Sequence, residues 1–214
     1  MKKIFLLIGL LIAGFALNAQ SQDAYVKAMQ NGLEAMGKAE SVQDLLGAAG
    51  QFERISARVK DQWHPHYYAA LNYINASFRA EGLATKDSYT EKAQGFIDNA
   101  LKIAPNESEV VALQGFNYMT QLSADPGGRG QSMSPKAMQT FGKAMGINPE
   151  NPRAMTFMAQ MQFGTAQFFG SSTAASCEAA KKTLPLFDAE SKGRSFDPTW
   201  GKDMAEAIIE GCTK

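Results

Sequence analysis

Several residues in this sequence have types and spacing suited to chemistry. Met155, Met158 and Met161 recur every third position, and soft thioethers on one stretch suit Cu(I). His64 and His66 flank Pro65 and are the only histidines. They could offer a metal two imidazoles, but no third ligand stands at metal-site spacing. Asp125-Pro126-Gly127-Gly128-Arg129-Gly130 sets one guanidinium among three glycines. Its planar fork suits a carboxylate, in a peptide terminus or an organic acid, and Gly128 and Gly130 would allow close backbone approach.

Each group also has a plainer reading. Methionine fills irregular cores. The histidines, beside Trp63, Tyr67 and Tyr68, suit capping or aromatic packing. Arg129 could pair with a neighbouring Asp in a surface loop. Phe168 and Phe169 are adjacent and cannot both face one side of a helix, so one is expected in the core and the other on an edge. Core and structural roles are the expectation for the methionines and histidines, with no metal and no cofactor. A nucleophile elbow, a zinc-binding His pair and a phosphate-binding loop are all missing, and "GGRG" follows no strand. The chain is therefore expected to be no enzyme, with no catalytic residues.

The elements that must position these residues are written in a repeat. Ala93, Ile97, Ala100 and Pro105 are spaced four, three and five apart, and Ala137, Phe141, Ala144 and Pro149 repeat those intervals. Small residues at helical spacing let helices approach closely, and each proline closes one helix and opens the next. Beyond Pro105 an apolar stripe returns at Val111, Gly115 and Tyr118, and beyond Pro149 at Met155, Met158 and Ala159. Period-two alternation is missing, so strands are not expected.

This pattern resembles the tetratricopeptide (TPR) family, whose unit is 34 residues. The resemblance covers about residues 45–212. It implies an all-α, right-handed αα-superhelix, a TPR-like solenoid of about nine antiparallel helices. They are expected near 22–38, 41–61, 66–82, 89–103, 107–123, 135–147, 151–167, 175–190 and 199–212, with Pro185 starting or kinking the eighth. Residues 20–214 would form a single repeat domain.

The landmark prolines Pro65, Pro105, Pro149 and Pro198 are 40, 44 and 49 residues apart, longer than the family unit. The excess falls mainly inside the hairpins and predicts three long loops, "AEGLATKDSY", "SADPGGRGQSMS" and "TAQFFGSSTAA". Equivalent turns of a solenoid share one edge, and insertions there often bind. Short segments are also similar to a group of secreted repeat proteins of unassigned role: Arg129-Gly130, Asn151-Pro152-Arg153-Ala154, Phe168-Phe169-Gly170 and Trp200-Gly201. The expected binding residues are therefore Gly128, Arg129, Gly130, Arg153, Phe168 and Phe169.

At the start, Lys2 and Lys3 precede an apolar run from Ile4 to Leu17, read as a signal peptide over 1–19 cleaved after Ala19. No cysteine near that cut could carry a lipid anchor. Removing Lys2 and Lys3 from the 21 basic residues leaves 19 against 21 acidic ones, a net charge of about −2, which does not favour nucleic acid. A periplasmic or secreted protein that is not membrane-embedded is expected. Counting along the last helices at 1.5 Å per residue brings Cys177 and Cys212 within about one turn of each other. In an oxidising compartment this favours a disulfide, with a free thiol pair as the rival.

The expected function is a non-catalytic scaffold binding a protein or peptide partner in the cell envelope. The alternative is a soluble carboxylate-binding accessory of envelope solute uptake, similar to the TPR component of certain solute transporters. That component is normally lipid-anchored.

Overall fold

Local signals set most helix starts. Ser41 caps α2 (Val42–Arg58) in a capping box: its Oγ accepts from the Asp44 N–H at 3.1 Å, and the Asp44 carboxylate accepts from the Ser41 N–H at 2.9 Å. Asn151 caps α7 (Pro152–Phe168), accepting from the Ala154 N–H at 2.8 Å, with Pro152 in the first turn. In the computed structural model, which describes residues 22–190 and 196–212, the other helices are α1 (residues 22–37), α3 (His64–Arg79), α4 (Leu83–Ile103), α5 (Ser108–Ala124), α6 (Pro126–Ile147), α8 (Ala174–Lys181), α9 (Leu184–Ala189) and α10 (Lys202–Gly211). The expected signal peptide lies outside the described residues.

Short connections make α1/α2, α3/α4, α5/α6 and α7/α8 antiparallel pairs. The chain is all-α, a TPR-like solenoid. The repeat is its packing code: Ala93, Ile97, Ala100, Ala137, Phe141 and Ala144 are all fully buried. Gly115 shows why small residues recur. A Cβ there would lie 2.5 Å from the Phe141 ring, so only glycine lets α5 rest on that ring. The main core runs from Tyr25 and Met29 in α1 to Phe157 and Met161 in α7.

Two of the three expected loops are helix. α4 begins at Leu83, not near 89, leaving residues 80–82 as its turn, with Gly82 at a φ of 76°. α6 begins at Pro126, not 135, so Asp125 alone joins it to α5. The reason is the start signal: the Asp125 carboxylate accepts from the Gly128 N–H at 3.0 Å and Pro126 sits in the first turn. Pro135 is carried inside α6, although an interior proline costs about 3 kcal/mol or more. The extra residues lengthen the second helices of the hairpins. Only residues 169–173 remain a turn of some length. The expected helix 175–190 is two, α8 and α9, and Pro185 lies in the first turn of α9.

The last helices form a small core of Ala159, Ala180 and Ile208. Cys177 and Cys212 are joined in a disulfide there, with Cα atoms 6.0 Å apart. Replacing both with Ser is expected to lower stability by about 2–4 kcal/mol. Calorimetric unfolding of the double variant against wild type measures this.

Candidate recognition face

The first helices of the pairs, α1, α3, α5 and α7, line one inner face. Its N-terminal half is crossed by the chain's own residues 196–201. Phe196, at a φ of 70°, sits in a backbone region uncommon for a non-glycine residue. Its ring packs edge-on to Tyr25, with centroids 5.8 Å apart, and its carbonyl accepts from the Tyr68 hydroxyl at 3.0 Å. Asp197 Oδ1 lies 3.2 Å from His64 Nε2. The Trp200 indole N–H donates to the Tyr67 hydroxyl at 3.1 Å, and its ring lies within 6.0 Å of Phe116 and Phe157. Gly201, at a φ of 102°, then starts α10.

Arg153 fastens this strap from below. The side chain is 2% exposed. Its Nε and Nη2 donate to the two Glu109 oxygens at 2.6 and 3.0 Å, and its Nη1 donates to Glu190 Oε2 at 3.0 Å and to the Trp200 carbonyl at 2.8 Å. Nη2 also pairs with Glu190 Oε1. Burial alone would weaken the charge, but Glu109 chiefly, with Glu190, raises the Arg153 pKa above its ordinary value. Asn151 extends the network to Glu109 and Ser108. Arg153 is thus a structural bolt whose fork the protein itself fills, not an exposed binding residue.

Arg129 is occupied too. Its Nη1 and Nη2 donate to the two Asp87 oxygens at 2.6 and 2.7 Å, and Nη1 also reaches the Gln121 carbonyl at 3.3 Å. The hydrogen bond holds the Asp87 carboxyl below its usual range and raises the guanidinium. Gly128 and Gly130 belong to the first turns of α6, not to a loop. A Cβ on Gly128 would collide with the capping Asp125 carboxylate, so that glycine serves the helix start. The carboxylate-binding reading loses its cation. As the pair is near the surface, Arg129→Ala is expected to lower stability by no more than about 1 kcal/mol and to leave any partner bound. Urea unfolding and a pull-down check the two halves of this.

Beyond the strap, the first helices of the pairs carry two more exposed rings. Phe78 lies three turns past Tyr67 on the same stripe of α3, as Phe168 does past Phe157 on α7, about 16 Å further along each helix. Phe78 is 42% exposed, with its ring 5.6 Å from Phe116. Phe168 and Phe169 are 83% and 75% exposed, so neither plugs the core as expected. The helix ends at Phe168, and Gly170, at a φ of 64°, turns the chain away before either ring can reach inward. Neither the strap nor the exposure of Phe78 was read from the sequence, although Phe196-Asp197-Pro198-Thr199-Trp200 is an aromatic-framed stretch without helical period. Met158 and Met161 pack in the main core. His64 stacks on Trp63 with centroids 3.9 Å apart, and His66 is buried near Phe96.

No protein-family model and no curated protein matches the chain. Among solved structures it is similar to the HusA haemophore from Porphyromonas gingivalis, with a TM-score of 0.78 and 24% identity, over 88% of this chain and 92% of that one. It is also similar to TTC0263, a thermophilic TPR protein of Thermus thermophilus, with a TM-score of 0.52 and 13% identity, over 92% and 94%. Buried alanines, proline-set helix pairs and these likenesses agree: the chain has a TPR-like helical repeat fold.

Proposed function

We propose that the chain is a non-catalytic, TPR-type scaffold of the cell envelope that recruits a protein or peptide partner along its inner face. The observation that carries this reading is the strap. The face already holds a non-helical segment, residues 196–201, by ring packing and by bonds to its backbone carbonyls. The end beyond the strap, with Phe78 partly exposed at its edge, continues the same surface. A periplasmic setting accords with the leader-like start and with the disulfide. Pull-down from a periplasmic extract tests it, wild type against Phe78→Ser. A partner held by wild type and lost from the variant supports the face. Identical partner lists overturn it.

A second reading is haem binding, favoured by the likeness to a haemophore over about nine-tenths of both chains. The aromatic face suits a flat macrocycle. The histidines suit the iron poorly, since His64 is engaged with Trp63 and Asp197 and His66 is buried. A haem here would rest on stacking against rings such as Phe78. Haemin titration followed in the Soret band decides this. Saturable one-to-one binding supports it, and spectra matching haemin in buffer exclude it.

A further inference from the structure

Phe168 and Phe169 stand at the end of α7 with their rings edge to face, centroids 5.1 Å apart, and both are more than 70% exposed. Burying Phe side chains is a main source of folding free energy, so two left in water at one turn mark a surface that meets something apolar. Two observations select the occupant. The first is size. The two rings offer at most about 300–500 Å², well short of the roughly 800 Å² per partner in a stable protein interface. The second is charge. From Ala154 to Cys177 there is no Asp, Glu, Lys, Arg or His, and the exposed neighbours of the rings are Thr165, Gln167, Gly170, Ser171 and Ser172. Charged groups at the rim steer and register a protein partner, and this rim has hydroxyls and an amide but no charge. A neutral turn with an aromatic tip instead suits the zone between lipid headgroups and acyl chains, where aromatic rings settle.

We propose that the turn formed by Phe168, Phe169 and Gly170 is a peripheral membrane-contact tip that dips its two rings into an electrically neutral bilayer surface. Among the described residues no helix is long and apolar enough to cross a membrane. The chain then sits on the bilayer with the end of α7 downward. Because the tip carries no charge, attachment is insensitive to salt and to anionic lipid. This inference does not rest on the partner or haem readings, and haemin titration and pull-down leave it untouched.

The test uses the protein without residues 1–19, so that the apolar run 4–17 does not bind lipid, with vesicles of phosphatidylcholine. In Phe169→Trp, the new indole is expected to shift its emission to the blue and to be quenched when the vesicles contain dibrominated lipid. Trp63 and Trp200 in wild type, both packed in the fold, are expected to be quenched far less. Phe168→Ser/Phe169→Ser is expected to lower the vesicle partition coefficient at least tenfold, and both substitutions lie outside the core. Emission from the introduced indole that vesicles leave unchanged overturns the proposal. So does binding that needs phosphatidylserine or is stripped by 0.5 M salt. A doubled mass by light scattering that the double-serine variant abolishes also overturns it, because the rings would then dock a second copy.

Discussion

Arg153→Ala is expected to lower the unfolding free energy by about 3–5 kcal/mol, which for a chain of this size is a fall of about 10 °C in Tm. The loss is not that of one ion pair. Arg153 donates to Glu109, to Glu190 and to the strap carbonyl at Trp200, and its removal leaves two half-buried carboxylates without their countercharge, Glu109 keeping only the Asn151 amide. Glu109→Gln/Arg153→Met should recover part of the loss, because the unpaired charge on Glu109 goes with the guanidinium. Glu190 tests the same logic from the other side. Burial raises its pKa against the opposing pull of Arg153, so Glu190→Gln is expected to cost less than Arg153→Ala. Urea unfolding of the variants measures all these values. Equal, small losses for every variant would contradict the network.

Phe157→Ala should produce a comparable loss, about 3–5 kcal/mol. The ring is 1% exposed and stacks on Phe116 at 4.4 Å with planes 9° apart, while Phe141 and Trp200 lie at 5.6 and 6.0 Å. Truncation opens a cavity among three rings that cannot collapse without moving α5, α6 or the strap. It also removes one wall from the indole, so Trp200 emission should move to the red. Phe157→Leu should keep most of the stability. A cooperative unfolding curve for Phe157→Ala that matches wild type would show that the ring stack does not hold the inner face together.

The sequence was legible where its packing is repetitive and opaque where one side chain chooses among distant partners. Ala93, Ile97, Ala100, Ala137, Phe141 and Ala144 were read from spacing alone and are fully buried, because a close helix crossing demands small residues at fixed intervals. Cys177 and Cys212 followed from helix length and are bridged. The inserted residues were misread because chain length reports excess, not conformation. Three glycines and Pro135 argue for a loop, but the Asp125 cap, the Pro126 start and the packing of α6 on α5 outweigh them. The site suffered from a different gap. Residue type says that Arg129 can grip a carboxylate, but not that Asp87, 42 positions earlier, already supplies it. Nor does helical spacing reveal that Phe168 ends its helix two residues before Gly170 turns the chain away, leaving it and Phe169 in solvent.

The bridge between Cys177 and Cys212 encloses α9, the strap and α10 in one covalent ring. Phe196 and Trp200 are therefore held at both ends, and their departure from the inner face regains little chain freedom. An incoming segment must compete with a neighbour at very high effective concentration. On the proposed function, such a segment lies alongside the enclosed peptide, on the Phe78 side, and leaves it in place. Cutting the ring with a reductant is what would turn that fixed lining into an exchangeable one.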